Sequence, residues 1–383
     1  MSALHWTQTD LRSQISTPPR SCRGWRNDEH HEAEHDPPGT HSGAPIRRVC
    51  RPLCCDADSQ TPPQNLPIGI IDFYGLHKLS AAQLQGALTF KVGDRISRGS
   101  RPPSIEESMM RLMAIPGVRS AHPDFVCCAD GAVIVFIGID ESGAAELKYR
   151  EPPTGTVRLP AAVIKSEHEF EDDLGPAVLH GHSDEDDSSG ESISSDPALR
   201  AVQQQFKISA RDDRRQLLDV LRHSSDAHHR AVAALVLGYV RDKQAVVNDL
   251  VAAVTDPDDE VRNNAVRTLL VFASTVPTAT RKVPRVPYEP FIALLNSPVW
   301  TDRNKASGAL VQLSKSRDPV LFARLRSGSM PALVEMARWK SVAHASAALF
   351  ILGRMAGYSD EATGKALKAG ERERIIADAL RTK

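Results

Sequence analysis

Aromatic side chains are scarce, at 5% of the 383 residues, so any core must be filled mainly by Ala, Val and Leu. The sequence has no run of 18 apolar residues, roughly the length a helix needs to cross a bilayer, so no such helix is expected. Six cysteines in a chain of this length cannot build a disulfide scaffold. The net charge of −1 gives no whole-chain argument for nucleic acid. No Ser-His-Asp set, Gly-rich phosphate loop or paired-carboxylate site stands out. What is present is enough apolar content, 41%, to build cores, in a chain long enough for two or three domains.

The charge is unevenly placed. Residues 151–197 hold twelve acidic and two basic side chains, and residues 198–383 hold nineteen acidic and twenty-nine basic. The simplest consequence is intramolecular: the acidic stretch lies on the basic half, or competes with an anionic partner for it.

Residues 1–65 are rich in Pro, His, Arg, Ser and Asp and lack any apolar period. Such a stretch cannot bury enough surface to offset its ordering entropy, so it reads as a disordered arm or as a mis-annotated start. His31, Glu32 and His35 spell the zinc-protease helix signature, but Asp36, Pro37 and Pro38 follow at once. With no apolar face to dock a helix and no third ligand, this is a chance match. Cys50, Cys54, Cys55, Cys127 and Cys128 lack paired C-x-x-C spacing, so no metal site and no cofactor is expected. Compartment stays open. The missing signal segment favours the cytoplasm, whereas a mis-annotated start would allow the envelope.

Order begins near Leu66. The run Ile68, Ile70, Ile71 and Phe73 predicts a strand, and Ser80 an N-cap. Ser104 and Glu107 read as a capping box opening a second helix, in which Met109, Met110 and Met113 are expected to pack in the core. Val118–Cys128 and Ala132–Ile139 read as a hairpin turning at Asp130–Gly131. With Tyr74–Gly75, the helix start at Ser80, Gly93–Asp94 and the closing Ile137–Glu141, residues 66–150 resemble a POTRA domain. The resemblance implies a small α+β β-α-α-β-β fold, an interaction module of bacterial envelope proteins, some of which take a partner strand at a sheet edge.

Residues 151–197 predict an acidic linker with a helix between Leu159 and Leu179. Glu185, Asp187, Ser189 and Gly190 suggest an EF-hand out of register, but position 12 is Asp196 rather than Glu, and the flanking helices are missing. Asp196–Pro197 starts a clearer helix.

Residues 198–383 are self-similar. An Ala with a Leu four residues later recurs at Ala231/Leu235, Ala265/Leu269, Ala306/Leu310 and Ala345/Leu349, at spacings of 34, 41 and 39. Each pair sits in a predicted helix preceded by another apolar one. The run Asp256-Pro257-Asp258-Asp259-Glu260-Val261-Arg262, then Ala265, resembles the HEAT repeat signature. Arg303 matches Arg262; His228 and Val342 replace it in the outer repeats. With RHSSDAHHRAVAALVLGY, LLNSPVWTDRNKA and ALVEMARWKS, residues 66–383 resemble bacterial HEAT-repeat proteins that carry a POTRA-like N-terminal unit. The resemblance implies a mainly α chain, a HEAT/armadillo-type α-α superhelix, and no assigned chemistry.

The expected function is that of a non-enzymatic protein-binding scaffold. Its concave face would offer Asn263, Asn264, Arg267, Asn304, Lys305, Trp339 and Lys340, while Arg262, Arg303, Ala231, Ala265, Ala306 and Ala345 hold the repeats together. The partner is a protein of unknown identity. The runner-up is a nucleic-acid binder resembling HEAT-fold DNA-repair glycosylases, through the basic array. A bilin-lyase-like enzyme comes third, because those arrays have shorter repeats.

Overall fold

The computed structural model describes residues 65–97 and 102–382, apart from positions 130, 145, 180 and 183. The N-terminal arm, with His31, Glu32, His35 and its cysteines, lies outside the described residues. None of the described helices is long and apolar enough to cross a membrane.

The N-terminal unit runs β1 (Asn65–Tyr74), α1 (Ala81–Gln85), β2 (Arg95–Ser97), α2 (Pro103–Met113), β3 (Val118–Ala129) and β4 (Ala132–Glu141). The sheet order is β2-β1-β4-β3, with β1 and β4 parallel and the other neighbours antiparallel. Strand β4 is central and almost wholly buried, and its alternation serves two cores. Val133, Val135, Ile137 and Ile139 pack under α1 and α2, while Ile134 and Phe136 belong to the core of the helical part.

Ser80 caps α1 in a reciprocal capping box with Gln83. The box expected at Ser104 is not formed. Pro102 is the N-cap and Pro103 the first helical residue, because proline's missing N–H costs nothing there. Of the three methionines expected in the core, only Met109 is buried; Met110 and Met113 face outward. The short β2, which pairs with the start of β1, is an addition to the expected order.

The helical part comprises α3 (Ala161–Leu179), α4 (Pro197–Asp212), α5 (Arg214–His223), α6 (Ala227–Val236), α7 (Val247–Ala253), α8 (Asp259–Ala273), α9 (Glu289–Leu294), α10 (Trp300–Leu313), α11 (Pro319–Gly328), α12 (Met330–Ala337), α13 (Val342–Met355), α14 (Asp360–Lys368) and α15 (Arg372–Arg381). Helices α6, α8, α10 and α13 pack in succession, and α5, α7, α9 and α12 are their respective partners. The small-residue packing is tight: a Cβ on Gly308 of α10 would stand 2.7 Å from Leu270 of α8.

Residues 151–197 are not a solvated linker. After α3 the acidic run folds into a hairpin of β5 (Glu185–Asp186) and β6 (Ile193–Ser194) that lies on the array. Glu185 pairs with Arg267 at 2.5 Å, and Glu191 pairs with Lys207 at 2.8 Å and Lys243 at 3.4 Å. Tyr239 donates its hydroxyl to the Ser192 carbonyl at 3.1 Å. The positive partners are distant in sequence, so the local composition read as unfolded. The loop's carboxylates are also committed: Glu185 goes to Arg267, and Asp187 accepts from the Ser192 hydroxyl at 2.7 Å.

Candidate functional site

A ladder of buried arginines runs through the repeats. Arg230, Arg262 and Arg303 each donate to the carbonyl six residues earlier, that of Ser224, Asp256 and Ser297, at 2.9, 2.9 and 2.5 Å. Each also pairs with a carboxylate of the next repeat: Arg230 with Asp256 at 2.7 Å, Arg262 with Asp302 at 3.0 Å and Arg303 with Glu335 at 2.7 Å. This corrects the expected register. The first repeat's ladder position is Arg230 rather than His228, so Ala233 and Leu237, both fully buried, correspond to Ala265 and Leu269. Ala231 is buried too, but its carbonyl accepts from Asn264 Nδ2 at 3.1 Å. The Ala/Leu match was ambiguous because this helix carries Ala at 231, 233 and 234.

The residues expected to meet a partner are largely engaged within the chain. Arg267 is held by Glu185 and donates to the Ser192 hydroxyl at 3.2 Å. Burial disfavours its charge, but Glu185 outweighs this and holds its pKa above the ordinary value. Asn304 and Trp339 are 6% and 1% exposed, so neither is a surface contact. Lys305 is half-buried. Asn263 is half-buried and reaches Asn264 Oδ1 at 3.5 Å. Lys340 is exposed, but its backbone N–H donates to Asp72 at 2.7 Å and its ammonium to the Ile71 carbonyl at 2.5 Å. Ala265, Ala306 and Ala345 are fully buried.

The face around Trp339 is covered by the N-terminal sheet. Phe136 stacks on Trp300 at 5.4 Å and meets Trp339 at 5.0 Å and His344 at 5.5 Å. Burial among these rings holds the His344 imidazole down at about 4. Tyr74 donates to the Pro298 carbonyl at 2.9 Å, and the Arg303 guanidinium lies 4.8 Å from the Tyr74 ring centre. Glu335 accepts the backbone N–H groups of Gly75 and Leu76 at 2.9 and 3.0 Å, and Asp124 accepts that of Trp300 at 3.2 Å. Gly138 lies against Pro298, where any Cβ would collide with the carbonyl oxygen and the Tyr74 ring.

Where sheet and array diverge they leave a cleft of about 590 Å³. Its walls include Arg119, Ser120 and His122 of the outer strand β3, Tyr149 of the connection, and Asp258, Asp259 and Asn296 of the array turns. Strand β3 ends the sheet order, so its outer edge has no strand neighbour among the described residues. Pro123 within it fits an edge position. Sequence reasoning missed this cleft, because its walls come from segments more than a hundred residues apart.

The comparisons with known proteins bear on the array. Residues 215–282 match a family described as HEAT repeats. The matched segment spans α5 to α8 and the residues that follow, and the helical part continues past it to α15. A search of the curated proteins finds no match for the chain. The matched HEAT-repeat segment includes Arg230 and Arg262, the first two rungs of the ladder.

Among the described residues, Glu167, His168 and His228 group side chains able to ligate a metal ion. No sequence spacing marked them, since α3 and α6 are joined only by the fold.

Proposed function

We propose that the chain is a non-enzymatic protein-binding scaffold of HEAT/armadillo type, joined to a POTRA-like N-terminal unit of the bacterial envelope kind. The partner docks in the cleft between β3 and the array turns. The observation that carries this reading is the cleft itself: an open strand edge stands beside charged turns, next to an array that the hairpin already covers at Arg267 and the sheet at Trp300 and Trp339. An extended segment adding to β3 would gain main-chain hydrogen bonds, with Arg119 and His122 on one side and Asp258 and Asp259 on the other. The nucleic-acid reading loses support. Arg230, Arg262, Arg303 and Arg354 have side chains 2–3% exposed and paired with carboxylates, so these four of the array's positive charges are not available to phosphates.

The test is capture of partners from an extract of the source organism. Ser120→Trp fills the cleft and replaces no ladder residue, and it is expected to abolish capture while the circular dichroism spectrum stays unchanged. If Ser120→Trp captures normally, recognition does not use the cleft. Capture of no protein by the unaltered chain counts against the scaffold reading itself.

A further inference from the structure

We propose that Glu167, His168 and His228 form a binding site for a divalent transition-metal ion, zinc being the expected occupant. Glu167 and His168 lie on α3, and His228 lies in the first turn of α6. The Glu167 carboxylate oxygen Oε2 stands 3.8 Å from His168 Nε2 and 3.5 Å from His228 Nε2. All three donor atoms lie within 4.8 Å of one another. The Glu167 side chain is only 4% exposed, and Oε2 is buried without a hydrogen-bond partner. A buried carboxylate oxygen in that condition is costly unless something else satisfies it.

The spacings favour a shared ion over direct hydrogen bonds. They exceed ordinary N–H···O distances. Ligands about 2.1 Å from a tetrahedral zinc stand roughly 3.4 Å apart, against 3.5 and 3.8 Å from the Glu167 carboxylate to the two imidazoles. The two imidazoles are stacked, with centroids 5.9 Å apart and planes 21° from parallel. Both are substantially exposed, at 56% and 40%, so a small ring rotation closes the geometry. His229, the neighbouring histidine, is turned away: its Nδ1 accepts the Leu159 N–H at 2.9 Å.

With three protein ligands the fourth position is left to water. Two imidazoles with a carboxylate make a borderline nitrogen and oxygen donor set, which suits zinc, cobalt or nickel rather than magnesium or calcium. The bound ion would fasten α3 to the first HEAT repeat.

The experiment uses the full chain stripped with a chelator, then titrated with Co²⁺ and separately with Zn²⁺. We expect one Co²⁺ equivalent with visible d–d bands and no strong thiolate band, and a Tm raised by a few degrees with Zn²⁺. Glu167→Gln replaces the carboxyl with a neutral group of the same shape, so it should keep the metal-free Tm and lose the Zn²⁺-induced rise. His228→Ala should weaken Co²⁺ binding at least tenfold. The double variant His31→Ala, His35→Ala should leave both readouts unchanged. The proposal is overturned if the unaltered chain shows no such binding or no Zn²⁺-induced rise. It is equally overturned if the signal survives both Glu167→Gln and His228→Ala, or if it disappears with His31 and His35.

Discussion

Removing Arg262 measures how far the repeats depend on buried charge. Its side chain is 2% exposed, and that of Asp302 is 0% exposed. Arg262 gives Nε and Nη2 to Asp302 at 3.0 Å each, and Nη1 to the carbonyls of Asp256 and Pro257 at 2.9 and 3.0 Å. Its guanidinium also lies 4.4 Å from the centre of the Tyr149 ring. Arg262→Ala takes the guanidinium from both carbonyls and leaves Asp302 with the Ser297 hydroxyl, which donates at 2.7 Å. Breaking one side of a buried pair costs about 3–5 kcal/mol. A partly solvated pair, as the turn sequence alone suggests, would cost about 1 kcal/mol or less. Burial already pushes Asp302 above the usual carboxylate range, against the pull of Arg262 and Ser297. Without Arg262 the carboxyl therefore takes up a proton, which limits the loss to that range rather than the full cost of a bare charge. Urea unfolding followed by circular dichroism on Arg262→Ala, Asp302→Asn and the double variant provides the measurement. Each single change is expected to cost about 3–5 kcal/mol, with the double falling short of their sum by on the order of 2 kcal/mol. Single changes costing under about 1 kcal/mol, or strict additivity, would refute the buried ladder.

Gly138→Ala should force the sheet off the array, because the new Cβ meets the Pro298 carbonyl. We expect a loss of about 1–3 kcal/mol or more, with faster proteolysis between residues 142 and 160 while most helicity persists; unchanged proteolysis would mean that the sheet is not docked through Gly138. His344 gives a pH signature. Its folded pKa of about 4 lies below its ordinary 6.5, so the stability it permits is complete above about 6.5 and is lost as pH falls toward 4. Over that window His344→Gln should lose less stability than the unaltered chain, by up to roughly 3 kcal/mol at the acid end. Parallel pH profiles in thermal unfolding would exclude His344 as the cause.

Local pattern determined most of the elements. The apolar run Ala132–Ile139, the Ser80 cap, the Asp196–Pro197 helix start and the Ala/Leu repeats are short-range signals, because helix and strand patterns are set within a few residues. Where a signal was duplicated locally it misled: three alanines in α6 concealed a two-residue shift, and only the Arg230–Asp256 pair fixes the register. The same limit governed the candidate site. Asn263 and Arg267 lie on α8 and Trp339 in the turn before α13, but their exposure depends on what else folds over them. The charge imbalance predicted that the acidic stretch lies on the basic half, but that it meets Arg267, Lys207 and Lys243, and that the even face of β4 meets Trp300 and Trp339, are facts about segments far apart in sequence. The cleft beside β3 and the cluster of Glu167, His168 and His228 are likewise products of packing. A buried partner satisfies charge and apolar surface without leaving a local spacing, so only the tertiary structure decided them.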